Sequence, residues 1–333
     1  MKIAVIGAGA VGSVIGGLLS KDGEDVTLIG RKPHVDAINQ TRLILDGESG
    51  RIVIKVKAAE NLDFKPDLAL LTVKTQDVES SVKKAQSYLS GVPVVTVQNG
   101  VQSDDLVAGV LGRENVISGV ITSNNEFLEP GKVWYSNPFG KIAMLIGEPF
   151  GTKGNRLQSL STLLNKAVPT DISENIRGAH WTKLMWNLQT AVPAITGLSY
   201  QESYQYPQVR ELSVKLVKEG LKVINTAGIK TEDVPGFPLK PLKTMVRMPL
   251  PIASLLLKRK AKSLGKVPVL GSTLQSIRRG STTEVDYLNG EIVNLGKKMG
   301  IPTPANSLMV ELVHQVETIG KFLSVDELTK KLS

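Results

Sequence analysis

Glycines 7, 9 and 12 stand at G-x-G-x-x-G spacing between two apolar runs, Ile3 to Ile6 and Val14 to Leu19. The first run reads as a buried parallel strand and the second as a helix. In that context the spacing holds a dinucleotide. Gly7 permits a tight turn out of the strand, Gly9 lets a pyrophosphate approach the main chain, and Gly12 lets the helix pack against the strand. The free N–H groups at the start of the helix then face the phosphates, so Gly7, Ala8, Gly9, Ala10, Val11 and Gly12 are the expected cofactor-binding loop.

The second strand reads as Asp25 to Ile29 and ends in Gly30-Arg31-Lys32. A site for NAD places an acid there, about 20 residues past the glycines, to hold the ribose 2′-hydroxyl. Here two cations stand instead, and a guanidinium suits a 2′-phosphate. The expected cofactor is therefore NADPH/NADP+, with Arg31 as the main contact; the plainer reading makes Arg31 and Lys32 solvated loop charges. Two further buried strands, Pro66 to Val73 and Val92 to Val97, end in Lys74-Thr75-Gln76 and Gln98-Asn99-Gly100. Ligands of open parallel sheets bind at the carboxyl ends of strands, which singles out Lys74, Gln76 and Asn99, although Asn-Gly is also a common turn pair.

Farther along, Lys183 and Asn187 lie one helical turn apart on a helix expected over 177–190, beside an apolar stripe of Trp181, Leu184 and Leu188. A lysine near apolar neighbours is a candidate acid with a lowered pKa, although most such lysines are surface residues. Glu284 falls in the first turn of a helix expected from Ser281, where an acid ordinarily just faces the helix dipole.

The elements that must position these residues follow from the rest of the chain. Its 333 residues exceed what one core usually holds. Strand signals, including a hairpin insertion at Leu43 to Val56 around Gly47–Gly50 and strands at 116–122, 132–136 and 141–146, end at Val168 to Ile172. Thereafter the pattern is helical: Arg210 to Ala227, Ile252 to Leu264, a helix opened by Gly271-Ser272, and about Ser307 to Phe322, with an irregular five-proline connection at 235–251. The expected fold is α/β: a Rossmann-type dinucleotide-binding domain over 1–174 and an all-helical domain over 175–333.

Apolar residues make up 41% and charged residues 21%, and there is no cysteine, which excludes disulfides, thiolate catalysis and cysteine-based zinc sites. The three histidines are too dispersed to suggest a metal site. No apolar run is long enough to span a membrane and the N-terminus does not read as a signal peptide, so a cytoplasmic location is expected. The net charge of +9 is concentrated: residues 235–283 carry ten Lys or Arg and no Asp or Glu. Without aromatic interleaving this basic stretch does not read as a nucleic-acid surface; it is a solvated face, an anion-attracting rim or a docking surface.

Taken together, the glycine motif, Val73-Lys74-Thr75-Gln76, Gln98-Asn99-Gly100, Trp181-Thr-Lys183-Leu-Met-Trp-Asn187, Gly271-Ser272, Thr283-Glu284-Val285-Asp286 with Asn289-Gly290, and Gly300-Ile-Pro302-Thr-Pro304-Ala-Asn306 occur in an order that resembles the ketopantoate reductase (2-dehydropantoate 2-reductase) family along essentially the whole chain. The resemblance implies a Rossmann domain, a helical domain, a cleft between them, and NADPH-dependent reduction of the C2 ketone of ketopantoate to pantoate on the route to pantothenate and coenzyme A. It implies Lys183 as general acid and Glu284 as a contact of substrate, cofactor and Lys183. It also implies Asn99 beside nicotinamide and substrate, Asn187 and Ser272 on the substrate, and Arg31, Lys74 and Gln76 toward the cofactor. A small 2-oxo acid is the implied partner, and a homodimer is left open. Two positions depart from the family pattern: Ala191 replaces a second asparagine, and Ser276 replaces an acid. Both departures fall near implied substrate contacts. The competing readings are thus a paralogue acting on another 2-oxo acid or an imine, and a non-catalytic NADP(H)-binding protein; retention of Lys183 with Glu284 argues against the last.

Overall fold

The structure, a computed structural model, describes all residues except 48–49, 137–141, 152–154, 266–267 and 333. The expected turn residues Glu48 and Ser49, the Pro138–Gly140 break, the first residue of the 141–146 strand and Lys266 of the basic stretch lie outside the described residues.

The first compact unit comprises Met1–His180 and Thr231–Phe237, and the second Trp181–Lys230 and Pro238–Ser333. In the first unit the strands are β1 (Lys2–Ile6), β2 (Asp25–Ile29), β3 (Leu43–Gly47), β4 (Ile52–Ile54), β5 (Lys57–Ala59), β6 (Leu68–Leu71), β7 (Val94–Thr96), β8 (Val116–Ile121), β9 (Asn125–Glu129), β10 (Lys132–Tyr135), β11 (Met144–Gly147) and β12 (Thr170–Ile172). The helices are α1 (Ala10–Lys21), α2 (Lys32–Thr41), α3 (Val78–Leu89), α4 (Ser103–Leu111), α5 (Arg156–Leu164) and the start of α6 (Ile176–Asn187).

Among the described residues the main sheet runs β12-β11-β8-β7-β6-β1-β2-β5, parallel from β5 to β8, with β11 antiparallel to β8. β1 explains why it is buried on both faces. Ile3 and Val5 join one hydrophobic cluster and Ala4 and Ile6 the other, so alternation in space appears in sequence as one apolar run. The first cluster also holds α1 residues Val14, Ile15 and Leu19, and the second holds Val78, Val82 and Leu89 of α3, so helices cover both faces. The hairpin expected at 43–56 is present as β3 and β4, extended by β10 and β9 into a four-stranded sheet of order β4-β3-β10-β9. β3 pairs with a strand almost 90 residues later in the chain, a non-local contact that periodicity does not reveal.

His34 ties this small sheet to the dinucleotide-type layer. It is buried, its Nδ1 accepts the Gly131 N–H (2.9 Å), and its Nε2 faces Ser13 Oγ on α1 at 3.0 Å. With Nδ1 accepting, a neutral ring carries its proton on Nε2. His180, also buried, meets Ser118 Oγ on β8 at 2.7 Å. Both histidines are packing residues.

α6 begins in the first unit, where Ile176 and Ala179 pack with Val120, Leu145 and Val234 and with the partly buried Phe237. These apolar contacts explain why compactness changes after His180 and why Thr231–Phe237 returns to the first unit.

The second unit contains the end of α6, then α7 (Ala191–Thr196), α8 (Tyr200–Ser203), α9 (Pro207–Thr226), α10 (Leu239–Met245), α11 (Leu250–Ser263), α12 (Ser272–Arg278), α13 (Asn289–Met299), α14 (Pro304–Ile319) and α15 (Val325–Lys330). Three expectations change. The 235–251 connection contains α10, because Pro241 falls in its first turn, where the missing N–H is not needed by the helix. Glu284 does not lie inside an α-helix: it flanks a 3₁₀ turn, Val285–Tyr287, and α13 starts only at Asn289. The last helix starts at Pro304, and α15 follows it, opened by a capping box between Ser324 and Glu327. Among the described residues no helix is long and apolar enough to cross a membrane.

A buried polar network joins the helices of this unit. Asn289 Nδ2 donates to Leu188 O (3.0 Å) and Asn306 Oδ1 (3.0 Å). Asn306 Nδ2 donates to Glu219 Oε2 (2.7 Å) and Leu216 O on α9, and Glu219 accepts the Ala305 and Asn306 N–H groups at the start of α14. The carboxylate thus caps a helix N-terminus, where negative charge is favourable.

Burial holds the His34 imidazole down to about 4, against an ordinary value of 6.5. The folded ring stays neutral while the unfolded one binds a proton below pH 6.5. Stability from this group is therefore complete above pH 6.5 and falls as pH drops toward 4, by on the order of 3 kcal/mol. Urea unfolding at pH 7 and pH 4.5 should show a smaller pH-dependent loss in His34→Gln than in wild type, with His34→Gln about 1–2 kcal/mol less stable at pH 7. An equal loss in both proteins would remove His34 as the acid-sensitive group.

Candidate active site

In the first unit the candidate residues gather at the carboxyl ends of adjacent strands. The chain runs β1 to β2 and out to β5, then returns to the other side of β1 as β6, which makes the β1/β6 boundary a topological switch point. The glycine loop follows β1, and Thr72–Gln76 follows β6. Thr72 Oγ1 donates to Gly7 O at 2.6 Å, joining the two loops. Gly7 has φ +107°, and a Cβ there would lie 2.5 Å from Val73 N, so both its conformation and its surroundings demand glycine. A Cβ on Gly12 would meet Gly7 O and Thr72 Oγ1, which is the close helix–strand packing expected from the motif.

Gly9 is different. Its φ is −85°, a value open to any residue, and a Cβ there would meet nothing nearer than Gly7 O at 3.9 Å. Neither strain nor internal packing calls for glycine at this position. It caps α1 without a side chain, and the first-turn N–H groups of a helix have no intrahelical partner. Open space over a bare helix start is what a pyrophosphate needs, so the loop fits the dinucleotide that its spacing implies.

The remaining first-unit residues border this loop. Gly30, at the end of β2, approaches Ala8 so closely that its own Cβ would lie 2.8 Å from Ala8 Cβ. Arg31, the next residue, is exposed and caps α2. Lys32 ion-pairs with Asp36 at 3.0 Å, whereas Arg31 has no ionic partner among the described residues. Lys74 caps the 3₁₀ turn Thr75–Asp77 that holds Gln76, and Thr75 Oγ1 donates to Asn99 O at 2.9 Å. The Lys74–Gln76 and Asn99 loops are thereby fixed to each other. Gln98, not anticipated as a site residue, braces them: its Nε2 donates to Leu71 O (2.7 Å) and Val73 O (3.1 Å). An amide at the inner end of a buried strand was the available signal. Glu60, also not anticipated, follows edge strand β5, whose Ala59 is opposite Ile29; this register sets an acid beside Gly30.

In the second unit Lys183 and Asn187 occupy the last turn and a half of α6, and a 3₁₀ turn at Leu188–Thr190 continues the chain. Thr190 Oγ1 bonds both Asn187 O (2.8 Å) and Thr273 Oγ1 (2.9 Å), which draws the start of α12, and with it Ser272, to Asn187. The Asn289 bond to Leu188 O brings the segment carrying Glu284 to the same place. Burial lowers the Lys183 ammonium from 10.5 to about 8, and the charge of Glu284 acts in the opposite direction. Four candidates, Lys183, Asn187, Ser272 and Glu284, are thus held by one set of hydrogen-bonded segments. Such an arrangement suits proton donation to an oxygen that gains negative charge. Ala191 is fully buried, and Ser276 is buried with its hydroxyl donating back to Ser272 O at 3.0 Å. Among the described residues no cluster of His, Asp or Glu could hold a metal ion.

The sequence profile described as ketopantoate reductase PanE/ApbA matches residues 3–148, and the profile of the C-terminal part of ketopantoate reductase PanE/ApbA matches residues 175–317. A 2-dehydropantoate 2-reductase of Pyrococcus horikoshii is 31% identical over 323 residues, covering 96% of this chain and 99% of that protein. The 2-dehydropantoate 2-reductase of Pyrococcus abyssi is 32% identical over 327 residues, with the same coverage. Among solved structures, a PanE/ApbA family ketopantoate reductase from Ralstonia eutropha JMP134 superposes with a TM-score of 0.79 at 32% identity, covering 96% of this chain and 99% of that one. D-mandelate dehydrogenase in a ternary structure with NADH and anilino(oxo)acetate shares the fold at a TM-score of 0.80 and 22% identity, with the same coverage. With two profiles spanning both halves and full-length relatives above 30% identity, this chain belongs to the ketopantoate reductase family of oxidoreductases.

Proposed function

We propose that this protein reduces 2-dehydropantoate to pantoate with NADPH, as a step toward pantothenate and coenzyme A. The observation that carries the reading is Lys183, an ammonium lowered to about 8 by burial and opposed by the Glu284 carboxylate. At neutral pH such a group is mostly protonated yet releases its proton readily, which is what a general acid requires. When bound, NADPH supplies the hydride that adds to the C2 carbonyl carbon. Lys183 Nζ gives its proton to the carbonyl oxygen as negative charge develops there, leaving a neutral amine and a secondary alcohol. Glu284 keeps the amine charged before that transfer. Asn187 and Ser272 orient the substrate by hydrogen bonds, and Asn99 contacts both nicotinamide and substrate. Gly7 to Gly12 hold the pyrophosphate, Arg31 the 2′-phosphate, and Lys74 and Gln76 the nearby cofactor groups. The cofactor belongs to residues 1–174, the substrate to residues 175–333, and the enzyme works in the cytoplasm.

A second reading keeps the chemistry and changes the substrate. Ala191 offers a buried methyl group where the family pattern has an amide, and Ser276 spends its hydroxyl on Ser272. A site that hydrogen-bonds a substrate hydroxyl rejects analogues lacking it, and losing such a group relaxes that preference. Another 2-oxo acid, or an imine leading to an N-(carboxyalkyl) amino acid, is then the substrate. D-mandelate dehydrogenase, with the same fold, binds NADH and an oxo-acid ligand.

Four outcomes are expected. NADPH oxidation with ketopantoate should reach a kcat/KM of about 10⁴ M⁻¹s⁻¹ or more, above a panel of other 2-oxo acids; preference for a panel member would transfer the assignment to the second reading. Lys183→Ala should lower kcat by about 10²–10⁴-fold with NADPH affinity near wild type. In the wild type, reduction should be nearly independent of pH below about 8 and fall above it, because the proton donor is lost as pH rises through the Lys183 value. Unchanged turnover in Lys183→Ala would remove Lys183 from the mechanism. Arg31→Ala should weaken NADPH by about tenfold to a hundredfold, with little effect on NADH. Equal effects on the two cofactors would contradict a 2′-phosphate contact and direct attention to Glu60 as a ribose ligand.

A further inference from the structure

The Glu284 segment is fastened on both sides to one face of α14. Before Glu284, the Thr283 N–H donates to Glu317 Oε1 at 2.6 Å. After it, Asp286 Oδ1 lies 3.0 Å from His314 Nε2, while His314 Nδ1 lies 2.8 Å from Glu317 Oε2. His314 and Glu317 are three residues apart on α14, a spacing that puts both on one side of a helix. One imidazole therefore bridges two carboxylates, and one of those carboxylates holds the backbone next to Glu284.

The segment needs such external support. Glu284 precedes a single 3₁₀ turn, and Leu288, at φ −110° and ψ −91°, separates that turn from α13. No continuous α-helical ladder fixes Glu284 in place, whereas α14 is a sixteen-residue helix whose N-terminus is capped by Glu219. Charge on the three partners is consistent with the geometry. Burial draws the His314 ring down, but its hydrogen bonds and charge interactions with Asp286 and Glu317 outweigh this and hold it above its ordinary value. Burial pushes Glu317 up, and the Thr283 N–H and the His314 ring outweigh it, holding the carboxyl below the usual range. A protonated ring can donate from both nitrogens at once.

We propose that His314 and Glu317 are positioning residues that fix the Thr283–Asp286 segment so that the Glu284 carboxylate stays beside Lys183. The proposal rests on the reading of Lys183 and Glu284 given under the proposed function. His314 and Glu317 act through Glu284 and take no part in proton or hydride transfer. Moving the carboxylate away removes the interaction that keeps Lys183 charged, so Lys183 loses its proton at lower pH. A merely structural role would leave that ionisation in place.

The test compares full-length wild type with His314→Gln, Glu317→Ala, Glu317→Gln and Lys183→Ala. The measurements are kcat and KM across pH, and hydrogen–deuterium exchange of the peptide covering 283–288. In His314→Gln and Glu317→Ala, kcat should fall about tenfold, the order expected of a small misplacement of a reacting group. The alkaline fall in rate should begin at lower pH, KM for NADPH should hold, and exchange at 283–288 should rise. Glu317→Gln, which keeps an acceptor for Thr283, should recover part of each change relative to Glu317→Ala. If Glu317→Ala fails to fold, His314→Gln carries the comparison. An alkaline limb and a 283–288 exchange rate that both match wild type in His314→Gln would overturn the proposal, even if its melting temperature fell. Full turnover by Lys183→Ala would instead defeat the catalytic reading; the exchange data then decide whether α14 holds the segment, faster exchange supporting it and unchanged exchange refuting it.

Discussion

The turn at Gly7 is the constraint from which the first unit follows. β1 has a neighbour on each side, β2 and β6, and the chain leaves it where the loop after β6 crosses. A side chain at position 7 would collide with the backbone of Thr72 and Val73, so the two loops can lie together only over a glycine with a positive φ. Once they do, the Thr72 hydroxyl locks Gly7 O and α1 starts directly above the strand ends. The second and third loops are then drawn in by the same logic. Gly30 gives way to Ala8, Gln98 spans Leu71 and Val73, and Thr75 holds Asn99 O. Gly9 alone among the motif glycines answers to nothing inside the protein. That contrast within one motif separates glycines the fold needs from a glycine whose side-chain space is open.

The second unit solves a different problem. An ammonium withdrawn from water tends to lose its proton, and a nearby carboxylate counteracts that loss. Lys183 sits between these two effects, so its ionisation depends on where Glu284 is held. Buried polar groups of the unit tie down the segment that carries Glu284. Asn289 ties the segment after Glu284 to Leu188, Asn306 links Asn289 to Glu219, and Glu219 caps α14. The Asn289 and Asn306 amide nitrogens and the Glu219 carboxylate each meet partners that offset the cost of leaving water. Asn289 and Asn306, which belong to the motifs that carry the family resemblance, are thereby placed as polar groups packed between α9, α13 and α14.

The sequence was most legible where local rules act alone. Four apolar residues followed by three spaced glycines specify β1, its turn and α1 without any knowledge of the partners. The helix carrying Lys183 and Asn187 was also visible, since i, i+4 spacing is a property of one helix. What was missed depends on distant contacts or on propensity overridden by position. β5 is a three-residue edge strand recognisable only through its pairing with β2. α10 hid behind a proline that is harmless in a first turn. Glu284 was read as an ordinary first-turn acid because nothing local distinguishes a 3₁₀ turn from the start of α13. Lys183, and the His314 and Glu317 that bond its neighbours Asp286 and Thr283, come near it only after folding, and no spacing rule could join residues 183, 284, 314 and 317.

The two departures from the family pattern gain a physical meaning from this division. Ala191 lies on α7 shortly after Asn187, and Ser276 lies on α12 one turn after Ser272. Ala191 begins α7 and is fully buried, so a polar group there would require a partner that an alanine does not. Ser276 satisfies its own hydroxyl one turn back, on the carbonyl of Ser272. On the proposed reading, changes at residues 191 and 276 fall on the substrate contacts and leave Lys183 and Glu284 in place. If Lys183 is the acid, the substrate contacts can change without rebuilding it, because burial and Glu284, and not residues 191 and 276, set its pKa.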